Sequence, residues 1–121
     1  MDILLEIELA DGQACGISVN DGKRDLALVL VRAGTRVRAF LNSCPHTGVR
    51  LDWRPDDFFD YSGQHLQCAV HGALFECTTG YCLAGPCRGS SLVPVICESA
   101  EDGRLRLREV ETIPSCAFMR R

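Results

Sequence analysis

The chain has 121 residues, 46% of them hydrophobic and 24% charged, with a formal net charge of −3 and a pI near 5.5. That is the size and balance of one compact globular domain, and two ordinary domains do not fit. The mild acidity offers no basic footprint for nucleic acid or for an anionic membrane, and neither is expected as a partner. No stretch approaches the roughly 18–20 apolar residues that span a bilayer. The first residues lack the positive segment and apolar run of a secretory signal. A cytoplasmic location is therefore expected, where thiols stay reduced and cysteines bind metals more often than they pair.

Strand signals dominate the two ends of the sequence. Residues 2–9 and 13–19 read as the first strands, separated by turn-forming residues. Residues 25–32 are apolar at both parities, the pattern of a central strand buried on both faces. Ala33-Gly34-Thr35 turns the chain into a partner strand over 36–42. Residues 91–97 are apolar again, Glu101-Asp102-Gly103 makes a turn, and 104–108 alternate Arg and Leu as a half-buried strand with its arginines in water.

The middle is different. From Ser43 to about residue 90 the chain is dense in Gly, Pro, Cys, His and Asp, with strand-like pieces only at 64–67 and 73–76 and one helical turn expected from Pro55. The expected fold is all-β: an antiparallel sandwich-like base built from about 1–42 and 91–110, a loop-rich insert over about 43–90, and a tail over 111–121. Such an insert has little core of its own, so a metal site is expected to fix it.

Within the insert stand Cys44-Pro45-His46 and, after 21 intervening residues, Cys68-Ala69-Val70-His71. Each short loop supplies one sulfur and one imidazole. Two thiolates can hold one iron of a 2Fe–2S unit while two imidazoles hold the other. With only two thiolates to cancel the oxidised core's positive charge, such a centre accepts an electron more readily than an all-cysteine one. The same Cys₂His₂ set can hold structural zinc, although common fingers pair Cys with Cys and His with His. A Cys–His nucleophilic dyad lacks any evident oxyanion hole or orienting partner.

These motifs resemble the Rieske 2Fe–2S family, whose signature is Cys-x-His followed by Cys-x-x-His. Gly48 after His46, Gly72 after His71, and Phe75 with the Thr79-Gly80 turn match its pattern, and Gly85-Pro86 is similar to its cluster-covering proline loop. The resemblance runs from about Ser43 to Val95. It implies a Rieske-like fold and one 2Fe–2S cluster, with Cys44 and Cys68 on the inner iron, His46 and His71 on the outer one, and Gly85 and Pro86 lining the site. The longer spacing makes residues 52–63 a surface elaboration, with Trp53, Phe58, Phe59 and Tyr61 as a satellite core beneath it.

High-potential members of the family carry a disulfide between the two loops. Here Val49 and Ala69 or Val70 occupy those positions. Those members also aim a Ser and a Tyr hydroxyl at cluster sulfurs, where this chain has Ala73 and Phe75. Fewer hydrogen bonds to sulfur disfavour the more negative reduced state, which implies a potential near the roughly −150 mV end of the Rieske range.

Of the remaining cysteines, Cys15 and Cys97 fall in apolar strands as small buried hydrophobes. Cys77, Cys82 and Cys87 flank the Gly-Pro turn in no standard metal spacing, which leaves a second metal site as the less favoured reading and Cys82 with Cys87 as the pair to inspect. His65 takes no role. The resemblance implies a one-electron carrier and no enzyme by itself, taking electrons from a reductase donor and passing them to an oxygenase or reductase acceptor. The alternatives are a small subunit of a larger reductase, similar to that of nitrite reductase, and a zinc-stabilised or redox-sensing interaction module. A complete oxygenase would also need a 2-His-1-carboxylate iron, and only His65 is left unassigned.

Overall fold

The apolar run at 25–33 becomes the wall between two cores. In the computed structural model, which describes residues 3–20, 22–23, 25–34, 36–45, 51–52, 58–68, 72–99 and 105–108, it is the longest strand. The elements in chain order are β1 (Ile3–Leu5), β2 (Ala14–Asn20), β3 (Asp25–Ala33), β4 (Arg36–Leu41), β5 (His65–Gln67), β6 (Leu74–Glu76), β7 (Cys82–Ala84), β8 (Pro94–Ser99) and β9 (Leu105–Arg108). Six of them form one sheet in the order β1-β9-β8-β4-β3-β2, and β5-β6-β7 form a second. Every pairing is antiparallel, and no helix occurs among the described residues.

Side chains alternate across a strand, so β3 serves both faces of its sheet. Leu26, Leu28 and Leu30 pack with Ala39, Leu41, Val95, Leu105 and Leu107. Ile3 and Leu5 from one edge and Val19 from the other join that same core. Only a curled sheet lets its two edges share a core. On the opposite face, Val29 and Val31 meet Phe40, Leu66, Phe75 and Leu92. The small sheet therefore rests on the large one, and the insert shares a core with the base. Burying each such side chain contributes roughly 1.5–3 kcal/mol.

Several sequence expectations shift. The ladder of β1 on β9 runs from Ile3 opposite Leu107 to Leu5 opposite Leu105, and Ile7 and Leu9 keep turning inward beyond it. β8 begins at Pro94, three residues later than expected. β7 was not foreseen; three residues beside a Gly-Pro turn carry no readable period. β9 alternates as expected, with Leu105 and Leu107 buried and Arg106 and Arg108 exposed. The satellite core is a correction: Phe58 is buried in the main core, Phe59 packs against it, and Tyr61 is fully exposed. Cys15 and Cys97 are half-buried, where full burial was expected. Trp53, the turn at Pro55, Arg104 and the tail lie outside the described residues.

Gly80 closes the turn between β6 and β7 with φ +75°, and a Cβ there would lie 2.8 Å from Phe40 Cε1 and 3.1 Å from Leu92 Cβ. Phe40 is itself buried and has nowhere to retreat. Gly80→Ala combines backbone strain with overpacking, so urea denaturation should show a loss of about 1–3 kcal/mol.

Candidate metal centre

Three loops meet on the small-sheet side of β3. The first follows β4 and begins with a polar clamp. Asn42 is buried, yet every part of it is used: its amide donates to the Ala27 carbonyl at 2.8 Å, its side-chain nitrogen donates to Asp52 Oδ1 at 2.9 Å, and its Oδ1 accepts from the Leu51 amide at 2.7 Å. The side chain thus ties residue 42 to residues 51 and 52 and closes the loop between them. A buried amide fully satisfied in this way fixes geometry as well as stability. Cys44 lies just inside the clamp and is 1% exposed. His46, Gly48 and Val49 lie outside the described residues.

The second loop leaves β5 at Cys68, which is fully buried. The Cys68 amide donates to the Ala73 carbonyl at 2.9 Å, and the Gly72 amide donates to the Cys68 carbonyl at 2.8 Å. These two bonds close the stretch from 68 to 73 into a tight loop. Ala69, Val70 and His71 lie outside the described residues. Ala73 and Phe75 are fully buried where the loop rejoins the small sheet, and neither has a hydroxyl to offer.

The third loop follows β7. Gly85 has φ +103°, and a Cβ on it would sit 2.7 Å from Ala73 Cα. Its bare backbone therefore lies directly against the end of the second loop, while Pro86 is exposed beside it. Cys82 and Cys87 stand on either side of this turn with their Sγ atoms 3.2 Å apart, and the Cys44 sulfur lies near enough to act on the Cys87 thiol. Burial, the bond to Cys82 and the neighbouring Cys82 and Cys44 sulfurs push the Cys87 thiol up to about 12.

Cys44 and Cys68 therefore come from different loops into one core as buried thiols, and neither is in a disulfide. That half of the donor set suits thiolate ligation of iron. Among the described residues no three of His, Cys, Asp and Glu gather closely enough to hold a metal ion. The second metal site considered around Cys77 gains no support: its sulfur donates to the Gln64 carbonyl at 3.3 Å. His65 sits on β5, where its amide donates to Asp60 Oδ1 at 3.2 Å and its carbonyl accepts from the Asp60 amide at 2.9 Å, so it braces the 60–65 turn. The stretch expected as a surface elaboration, 52–63, is partly interior, since Asp52 is buried in the clamp and Phe58 in the core.

The sequence singled out Cys44, Cys68 and the Gly-Pro turn, which the fold brings to the same side of β3. Sequence reasoning missed Asn42 and Asp52, whose polarity reads as surface, although Asn beside a loop is a usual closer of turns. It noted Cys82 with Cys87 without foreseeing the contact to Cys44.

A curled antiparallel base with Cys44 and Cys68 buried where its loops meet has the frame of an iron–sulfur domain, and the family comparison agrees. The model of the Rieske [2Fe-2S] domain matches residues 1–112, and the chain belongs to that family. The cofactor of that family is one 2Fe–2S cluster. No curated protein sequence matches the chain. Among solved structures it is similar to the terminal oxygenase of carbazole 1,9a-dioxygenase from Novosphingobium sp. KA1, with TM-score 0.67 and 21% identity, covering 88% of this chain and 29% of that one. It is also similar to the ferredoxin of carbazole 1,9a-dioxygenase from Nocardioides aromaticivorans IC177, with TM-score 0.59 and 23% identity over 82% of this chain and 86% of that one. A protein described as an NADH-dependent nitrite reductase small subunit, from Mycobacterium tuberculosis, gives TM-score 0.59 and 21% identity over 88% and 91%. The chain thus spans less than a third of the oxygenase and most of the two smaller proteins.

Two substitutions test the scaffold of the site. Asn42→Leu leaves the Leu51 amide and Asp52 without their partner and should lower stability by about 1–3 kcal/mol in denaturant titration. Gly85→Ala forces the third loop off Ala73, and proteolysis should then cut between residues 83 and 91 more readily than in the wild type.

Proposed function

We propose that Cys44, His46, Cys68 and His71 hold the cluster, the two thiolates on one iron and the two imidazoles on the other. The observation that carries this reading is the pair of buried, disulfide-free thiols, one from each loop, that share a core where three loops meet. When bound, the cluster supplies reversible one-electron chemistry. The chain's own residues give it a fixed seat: the Asn42 clamp and the 68–73 loop position the sulfurs, and the packing of Gly85 on Ala73 keeps water from that side. Leu83, Ala84, Gly85 and Pro86 form an exposed, uncharged run beside the seat, and a redox partner approaching there meets an apolar surface.

The protein acts as a carrier between a reductase donor and an oxygenase or reductase acceptor. Its nearly full overlap with a ferredoxin of a dioxygenase supports that role. A second reading, small subunit of a larger reductase, is supported by a similar overlap with the nitrite reductase protein. Co-purification separates them: a subunit leaves the cell bound to a large partner, and a carrier leaves it alone. The potential belongs at the low end, because Ala73 and Phe75 bring no hydroxyl to a fully buried position.

Analysis of the purified protein should find iron and acid-labile sulfide in equal amounts, with a Rieske-type EPR signal on reduction. Zinc without sulfide would sink the assignment. Cys44→Ser and His71→Ala should each abolish the signal, and chelation of the iron should lower the unfolding temperature, because binding and loop folding are coupled. Ala73→Ser or Phe75→Tyr should raise the midpoint potential in a redox titration; no rise with either variant means the residues are placed wrongly.

A further inference from the structure

Two buried sulfurs beside the metal centre remain without a use. Cys82 on β7 and Cys87 on the turn after it are 0% and 6% exposed, with Sγ atoms 3.2 Å apart and no disulfide between them. The backbone holds them opposite each other: the Cys82 amide donates to the Ser90 carbonyl at 2.8 Å, and the Ser90 amide donates to the Cys87 carbonyl at 2.9 Å. The Cys82 thiol has its own acceptor, the Ala84 carbonyl, at 3.2 Å. The single proton on Cys87 then has two sulfurs in reach, those of Cys82 and Cys44. A ligand thiolate carries more negative charge than a neutral thiol and is the better acceptor.

We propose that Cys82 and Cys87 are a reversible disulfide pair set against the metal centre: as a dithiol, Cys87 donates its S–H to the Cys44 sulfur, and as a disulfide it has no proton to donate. The second half rests on the reading of Cys44 as a cluster ligand; the pairing of the two cysteines does not.

The chemistry needs an oxidant, and a low-molecular-weight disulfide such as glutathione disulfide serves. Cys87, flanked by exposed Pro86 and Arg88, is the sulfur such a reagent reaches first. Burial keeps Cys87 mostly protonated, so the first step is slow: once the proton leaves to solvent, the thiolate attacks one reagent sulfur, forms a mixed disulfide and releases one glutathione thiolate. The Cys82 thiolate then attacks the Cys87 sulfur and releases the second. Two protein thiols lose two protons and two electrons, and one reagent disulfide becomes two thiols. The sulfurs need only close from 3.2 Å to the roughly 2.0 Å of a disulfide, a movement the turn at 85–90 can supply. A hydrogen bond to a ligand sulfur favours the more negative reduced state, so the dithiol form has the higher midpoint potential. Cys87 thus takes over part of the work for which Ala73 and Phe75 lack a hydroxyl.

The intact protein is incubated anaerobically with glutathione disulfide, quenched in acid, alkylated and mapped by mass spectrometry, with a redox titration on a parallel sample. The expected result is a peptide linking Cys82 to Cys87, undone by dithiothreitol, with visible absorbance retained and the midpoint shifted to a more negative value. Cys87→Ala should show that lower midpoint without the reagent. Cys87→Ser keeps a donor, so its midpoint should stay near that of the untreated protein and should not respond to the reagent. Both cysteines still free, a lasting glutathione adduct on either, or a Cys44–Cys87 link with loss of colour would overturn the pairing. A Cys82–Cys87 link with an unchanged midpoint would overturn the hydrogen bond to Cys44. Protein without iron would refute the ligand reading, while the linked peptide could still be scored.

Discussion

Val29 and Val31 point to one side of β3 while Leu28 and Leu30 point to the other, and the architecture depends on that double burial. On the leucine side the large sheet curls until its two edges share a core. On the valine side the same strand supplies the floor for the small sheet and for the sulfur-bearing loops. A strand polar on one face would support the curled base but would leave the insert with nothing apolar to rest on. The metal centre is thus built on the outside of one core and the inside of another.

This shared floor changes how the insert and its metal relate. A loop-rich segment of this composition is expected to have little core of its own and to need a metal site to fix it. Much of the order is instead set by ordinary packing and by the Asn42 clamp, each buried hydrogen bond of which contributes about 0.5–1.5 kcal/mol net and costs more if broken on one side. The loops carrying Cys44 and Cys68 are held at their bases by Asn42 and by the Cys68–Ala73 amide bond. A metal held by these loops would meet ends already fixed, and the entropy lost on binding would be smaller than for a free loop.

The sequence made the β architecture readable because β3 is apolar at both parities, as a strand buried on both faces must be, and β9 alternates with one face buried. The paired Cys–His motifs were readable because chemistry restricts which residues can stand there. What escaped has a common cause. β7, the exposed Tyr61 and the buried Phe58 all lie in segments without a period, where burial is decided by the path of the loop. Asn42 and Asp52 escaped because two polar residues ten apart look solvated until the fold brings them together. Cys82 and Cys87 escaped in part for the opposite reason: their spacing was visible, but their nearness to Cys44 exists only in three dimensions.

The pairing of β1 with β9 puts Ile3 opposite Leu107, at an edge of the large sheet. Where the path into a domain and the path out of it run side by side, the whole unit can be inserted into a longer polypeptide as if through a single opening. The same architecture accordingly makes up most of a small ferredoxin and less than a third of an oxygenase chain, and evolution needs only to move the seam.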